Sequence, residues 1–292
     1  MLNPADETLP ELLSGLQNSR SSVRARAARG LGKLPRPPRE ALSVLVAATD
    51  DPEQAVREAA VQAIGAFGRD SLPVLVHLLG HTCKYVRRNA VWTMTKLGRD
   101  AAPAVPALCN MLKDPDPRAG GGAAQALGAI GPAAADAVPV LAETMRGTNV
   151  VLCRLASKAL SQIGQAALPT LVSHLKHYDP FVRGEAAVAL GWMGRAAVAA
   201  APALVQLLAA RSAPTGPSRT SVFGGSGAVT PVAVAQPEAS GAEETTLIQV
   251  IQALGRIGGS AEAEPLLLDL LTDKRESVRQ AAADALRQIR EE

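Results

Sequence analysis

The sequence predicts an all-α fold, a solenoid of about eight two-helix repeats, and three observations carry that expectation. A column of prolines opens apolar segments at Pro10, Pro73, Pro106, Pro139, Pro169, Pro202 and Pro265, with Ser43 in the second place. A second column, 14 positions further on in seven of eight copies, reads Arg24, Arg57, Arg87, Gly120, Cys153, Arg183, Leu247 and Arg279. Self-similarity at a spacing of 30 to 33 marks a stacked-repeat architecture. The third observation is composition: 47% apolar residues but only 2% aromatic give a core of Ala, Leu and Val, whose small side chains let helices approach closely.

Each copy opens on a helix. Proline is tolerated in the first turn, where its missing N–H has no partner to lose. Thr8 precedes Glu11 by three residues, a capping-box pattern. A polar turn follows, often with Asp: Asp50 and Asp51, Asp114 and Asp116, Asp179, Asp273.

The second helix is read by counting the residue before the column Arg as zero. Positions zero, four, five, eight and eleven are apolar in nearly every copy, as in Val86, Ala90, Val91, Met94 and Leu97 and again in Val278, Ala282, Ala283, Leu286 and Ile289. That spacing draws one stripe along a helix. Gly68, Gly98, Gly131, Gly164, Gly194 and Gly258 then close it. In the fourth copy Gly120, Gly121 and Gly122 open the second helix, where a local hinge is expected because glycine costs about 1 kcal/mol relative to Ala inside a helix. The last copy carries Asp284, Arg287 and Arg290, the polar face that a terminal repeat needs.

One turn breaks the register. The offset from Pro202 to Leu247 is 45, so about 31 residues are inserted within 211–243, with Phe223 as their aromatic. Such a Pro-, Gly- and Ser-rich stretch buries too little apolar surface to offset the entropy of ordering. A disordered surface loop and a functional lid or tether are the two readings.

These residues resemble HEAT repeats, in the short form of the phycobilisome (PBS) lyase-like group. Asp179-Pro180-Phe181-Val182-Arg183 through Ala189-Leu190-Gly191, and Arg99 through Pro106, carry the likeness, which covers the chain apart from the insertion. It implies one right-handed superhelix over 1–292 with second helices lining the concave side. It also implies that the column arginines Arg24, Arg57, Arg87, Arg183 and Arg279 form a structural ladder with Asp side chains of neighbouring turns, interrupted at Gly120, Cys153 and Leu247.

Positions three, six and ten of each second helix fall on one face, away from the apolar stripe. On it stand Arg26, Arg29, Lys33, Trp92, Lys96, Lys158, Trp192 and Arg256, with Glu185 and Asp284 as its acids. Both tryptophans of the chain lie there. They are anchors of the type enriched at binding hot spots, or they fill gaps left by the small core. The expected function is a non-catalytic scaffold that docks a protein partner, an acidic or extended segment, along this ridge. A HEAT-type lyase or hydroxylase, or a nucleic-acid binder, is the alternative. The cluster Arg20, Arg24, Arg26, Arg29, Lys33, Arg36 and Arg39 favours nucleic acid, while the net charge of +3 does not.

No cofactor, metal or catalytic residue is expected. His77 and His81 are one turn apart, yet His174 and His177 lie three repeats away, and no His-Glu-x-x-His occurs, so all four read as surface residues. Deoxyhypusine hydroxylases, a related HEAT group, place His-Glu pairs at the start of second helices. Here the one matching Glu185 follows Gly184. Cys83, Cys109 and Cys153 have neither disulfide-framework nor zinc spacing. With no secretory signal and no run of about 20 apolar residues, a cytoplasmic protein without a membrane partner is expected.

Overall fold

In a computed structural model, residues 8–35, 37–210, 237–258 and 262–291 are described. Sixteen α-helices and no strands occur among them. The chain divides into two compact units, Met1–Ala137 and Val138–Glu292, each taken by itself below. In the first, α1 (Leu9–Gly15) packs on α2 (Ser21–Lys33), α3 (Arg39–Ala48) on α4 (Gln54–Gly65), α5 (Leu72–Leu78) on α6 (Lys84–Leu97), and α7 (Val105–Met111) on α8 (Pro117–Ile130). In the second, α9 (Val138–Met145) packs on α10 (Val150–Ile163), α11 (Leu168–His174) on α12 (Pro180–Met193), α13 (Ala201–Ala209) on α14 (Pro237–Ile257), and α15 (Ala263–Leu270) on α16 (Glu276–Arg290). Each second helix also packs on the next within its unit, which is the stacked-pair arrangement of an α-solenoid.

The apolar stripe is the core. Val56, Ala60, Val61 and Ile64 on α4 are fully buried, as are Val182, Ala186, Ala187 and Leu190 on α12. Small residues set how close the second helices come. A Cβ on Gly32 would stand 2.8 Å from Ala63 Cα, and one on Gly255 would stand 2.9 Å from Ala285 Cα. Both contacts join position nine of one second helix to position seven of the next, so the Ala- and Gly-rich composition is a packing requirement.

The six closing glycines all take positive φ, between 54° and 88°. Short 3-10 turns follow five of them, and their lengths account for the two repeat spacings. Seven-residue turns, Gly98–Ala104 and Gly131–Ala137, lie in copies spaced by 33; four-residue turns, Gly68–Ser71 and Gly164–Ala167, lie in copies spaced by 30. The same breaks divide the most apolar stretches, Pro117–Met145 and Pro180–Ala209. Each begins with a 14-residue helix, about 21 Å long at 1.5 Å per residue and shorter than a bilayer core of about 30 Å.

One expectation needs correction. Gly120, Gly121 and Gly122 lie inside the regular helix α8, not at a break. A Cβ on Gly120 would lie 3.2 Å from Leu112 O, and one on Gly122 would lie 3.0 Å from Val91 Cγ1, so these glycines admit close neighbours. The insertion expected within 211–243 falls only partly on described residues. Residues 211–236, Phe223 with them, fall outside the described residues, but residues 237–243 form the first turns of α14. Glu243 holds that start in place by accepting from Arg183 Nη2 at 2.7 and 2.9 Å, and Thr246 Oγ1 donates to Pro180 O at 2.8 Å.

The column arginines share one bonding pattern. Nη1 of Arg24, Arg57, Arg87, Arg183 and Arg279 donates to the carbonyls six and five residues before it, at 2.6–3.1 Å. These bonds tie the start of each second helix to its preceding turn. Arg24 and Arg87 also reach forward to Asp51 and Asp114 of the next copy, each through two hydrogen bonds of 2.6–2.9 Å. Arg183 uses Glu243 in the same way. For Arg57 the corresponding residue of the next copy is His81, and Arg57 Nε is buried with no hydrogen-bond partner among the described residues.

Candidate interaction surface

Helical geometry separates the outward face into a buried row and an exposed one. Position three lies against the neighbouring second helix: Ala59, Glu185 and Ala281 are buried, Asn89, Gly122, Leu155 and Gln249 are half-buried, and Arg26 is exposed. Positions six and ten form the exposed ridge. The first unit presents Arg29 and Lys33 on α2, Gln62 and Ala66 on α4, Trp92 and Lys96 on α6, and Gln125 and Ala129 on α8. The second presents Lys158 and Gln162 on α10, Trp192 on α12, Gln252 and Arg256 on α14, and Gln288 on α16, with Val188 and Asp284 half-buried.

Both tryptophans are exposed, Trp92 at 44% and Trp192 at 49%. Trp92 and Lys96 are one turn apart, and Lys96 Nζ lies 3.6 Å from the indole centroid. A cation there is attracted by the ring quadrupole and helps fix the orientation of the indole. A Cβ on Gly191, the residue before Trp192, would meet Arg256 Cδ at 3.7 Å, so the Arg256 stem packs on α12 at Gly191.

Glu185 does not belong to this ridge. Its side chain is 4% exposed, and its carboxylate receives a hydrogen bond from Nε of Arg154, itself 64% exposed, at 3.3 Å. Ser157 Oγ donates to the Glu185 carbonyl at 2.9 Å. Burial pushes the Glu185 carboxyl above its usual range, and Arg154 only partly offsets this. Position three faces the preceding second helix, here α10, which removes Glu185 from the surface. With it gone, the only acid of the ridge is half-buried Asp284.

The structure also disperses the candidate chemistry. His77 is exposed, but His174 is buried, with Nδ1 2.8 Å from Thr170 O and its ring stacked on His177. His81 and His177 each accept a backbone N–H through Nδ1, from Cys83 and Asp179, where Asp51 and Asp114 accept through a carboxylate. These histidines thus serve as turn residues. No group of three or more metal-ligating side chains occurs among the described residues. The three cysteines are free thiols. Burial would push the Cys83 thiol up, but the N–H groups of Val86 and Tyr85 and the Arg57 guanidinium outweigh it and hold the thiol below its ordinary value.

One pair escaped sequence reasoning. Arg88, next to the ladder residue Arg87, donates to both carboxylate oxygens of Asp116, the residue that precedes α8. The guanidinium holds the Asp116 carboxyl below the ordinary range, as Arg24 and Arg87 do for Asp51 and Asp114. The adjacent Arg-Arg was its signal in the sequence.

Against known proteins, a family model of HEAT repeats matches residues 9–94, 72–161, 145–215 and 235–292. No curated protein matches the chain. Among solved structures, an engineered protein shares 18% identity over 96% of each chain, with a TM-score of 0.40. YibA of E. coli shares 15% identity over 99% of this chain and 94% of its own, with a TM-score of 0.49. The family match spans far more than half of the sequence and carries the stacked helix pairs described above. The chain belongs to the HEAT-repeat family.

Proposed function

We propose that the chain is a non-catalytic scaffold that docks a protein partner along the exposed ridge of its second helices. HEAT repeats are generally protein-interaction scaffolds, which supports the class of function. The observation that carries the specific reading is the exposure of both tryptophans. An indole left in water forgoes the burial that usually holds it in a fold, and aromatic residues of this size dominate interface hot spots. Trp92 and Trp192 are the anchors of this docking. Arg26, Arg29, Lys33, Lys96, Lys158 and Arg256 complete its polar rim, and Arg24, Arg57, Arg87, Arg183 and Arg279 keep the helices in register beneath it. The 30- to 33-residue spacing supports placing the chain with the short, PBS lyase-like HEAT form. Three free thiols support a cytoplasmic location.

The test separates an anchor from a packing residue. Trp92→Ala and Trp192→Ala are made singly and together, and melting temperature and partner capture are measured on the same preparations. Anchors lose capture by about tenfold or more with melting shifted by less than about 2 °C. Unchanged capture, or loss that tracks melting temperature, overturns the reading.

A further inference from the structure

In the first unit the exposed ridge carries charge of one sign. Arg29 and Lys33 stand on α2 and Lys96 on α6, and no residue at positions six and ten of this unit is acidic. Many of the unit's acids face other cations along the turns. Asp51, Asp114 and Asp116 are paired with Arg24, Arg87 and Arg88, while Asp70 and Asp100 lie 3.4 and 3.9 Å from Arg39 and Arg69. Between the two cationic helices, α4 contributes only Gln62 and Ala66 to the exposed rows. The exposed rows thus form a neutral floor, half-buried Glu58 one turn before Gln62 accepting from Gln54, with a pair of cations on one side and a cation stacked on an indole on the other.

The spacing defines what fits. Packed helices lie about 8–10 Å apart, so α2 and α6 are separated by roughly 16–20 Å across α4. An extended chain advances about 3.3 Å per residue and crosses that gap in about five or six residues. We propose that this face binds an acidic, extended segment of a protein partner. An apolar side chain rests on Trp92, a neighbouring carboxylate meets Lys96, and a carboxylate pair about five or six residues away meets Arg29 and Lys33.

Discrete carboxylates suit this surface better than a phosphate backbone. A duplex offers about one charge per 1.7 Å, and its binders typically make about 6–10 phosphate contacts, whereas this ridge holds its cations in two clusters apart. The proposal rests on the interaction reading above, deepens it for the first unit, and fails separately from it.

The test uses Trp192→Phe, which leaves Trp92 as the only indole, so fluorescence reports on this site alone. The probes are a synthetic peptide of about twelve residues with two acidic pairs flanking leucines, its Gln/Asn counterpart, and a duplex DNA of about 20 base pairs. At low salt the acidic peptide shifts Trp92 emission and binds about tenfold or more tighter than its amide counterpart. Replacing Arg29, Lys33 and Lys96 with Gln removes that preference while helicity and melting temperature stay in place. Equal binding of the amide peptide, tighter binding of DNA, absence of binding, or full affinity in the Gln variant overturns the proposal. Capture that depends on Trp92 and Trp192, found together with any of those results, leaves the scaffold reading standing and removes only its acidic partner.

Discussion

Glu185→Gln should make this protein more stable, and the reason is local. The carboxylate lies at a helix–helix contact with its side chain 4% exposed, and its charge partner Arg154 is mostly in water at 3.3 Å. A buried ion pair repays its desolvation only with close geometry and further hydrogen bonds, and a 3.3 Å contact to a solvated guanidinium together with the Ser157 hydroxyl leaves burial the larger effect. Gln keeps the shape and an acceptor oxygen while removing the charge. The expected gain is about 1 kcal/mol at neutral pH, or roughly 2 °C in melting temperature for a chain of this size.

The sign of the pH dependence follows from the raised carboxyl. Because the folded protein holds this proton more tightly than the unfolded chain does, the stability that the group contributes is fully present below the unfolded value, about 4.3. It is lost as pH rises through the folded value. Thermal melts followed by circular dichroism at about pH 4 and pH 7.5 should therefore show the variant's advantage small in acid and full near neutrality. Asp51, Asp114 and Asp116 titrate with the opposite sign but are common to both proteins and cancel in the difference. Arg154→Ala should destabilise the wild-type background and be nearly neutral in the Gln background. A variant that melts lower at neutral pH would show that the Arg154 contact outweighs burial and would refute the reasoning.

Two further substitutions probe the repeat itself. His81→Asp places a carboxylate where Asp51 and Asp114 stand, within reach of the Cys83 N–H and of Arg57 Nε. It should raise the melting temperature by about 2 °C, a gain of about 1 kcal/mol, despite the loss of the 2.9 Å contact between His81 and Asp50. A lower melting temperature would mean that the carboxylate does not reach Arg57 and that the lost contact with Asp50 outweighs it. Gly32→Ala should destabilise by about 1–2 kcal/mol in denaturant titration even though Ala favours helices, because its Cβ would meet the Ala63 backbone at 2.8 Å. Stabilisation there would show that α2 and α4 separate freely.

The parts of this fold that were legible in the sequence are those where one physical demand recurs in every copy. An apolar residue at positions zero, four and eight, and a glycine where φ must be positive, announce themselves through the period, and helices, closing turns and core followed from it. The ladder was half legible. The arginines repeat, but their forward partners do not: Asp51 and Asp114 serve Arg24 and Arg87, Glu243 serves Arg183, and the place facing Arg57 holds His81. Where the same bond can be made by residues at different offsets, the column dissolves. The ridge was least legible, because position three is polar in some copies and is still turned toward the preceding second helix. Glu185 shows the limit: helical periodicity assigns a residue to a face, but only the distance to the neighbouring helix decides whether that face is wet. Positions six and ten stay clear of that neighbour, so Trp92 and Trp192 remain exposed in a core packed by alanine and glycine. A second helix built to lie within about 8–10 Å of the next leaves only its outermost rows for recognition, and both indoles of this chain occupy those rows.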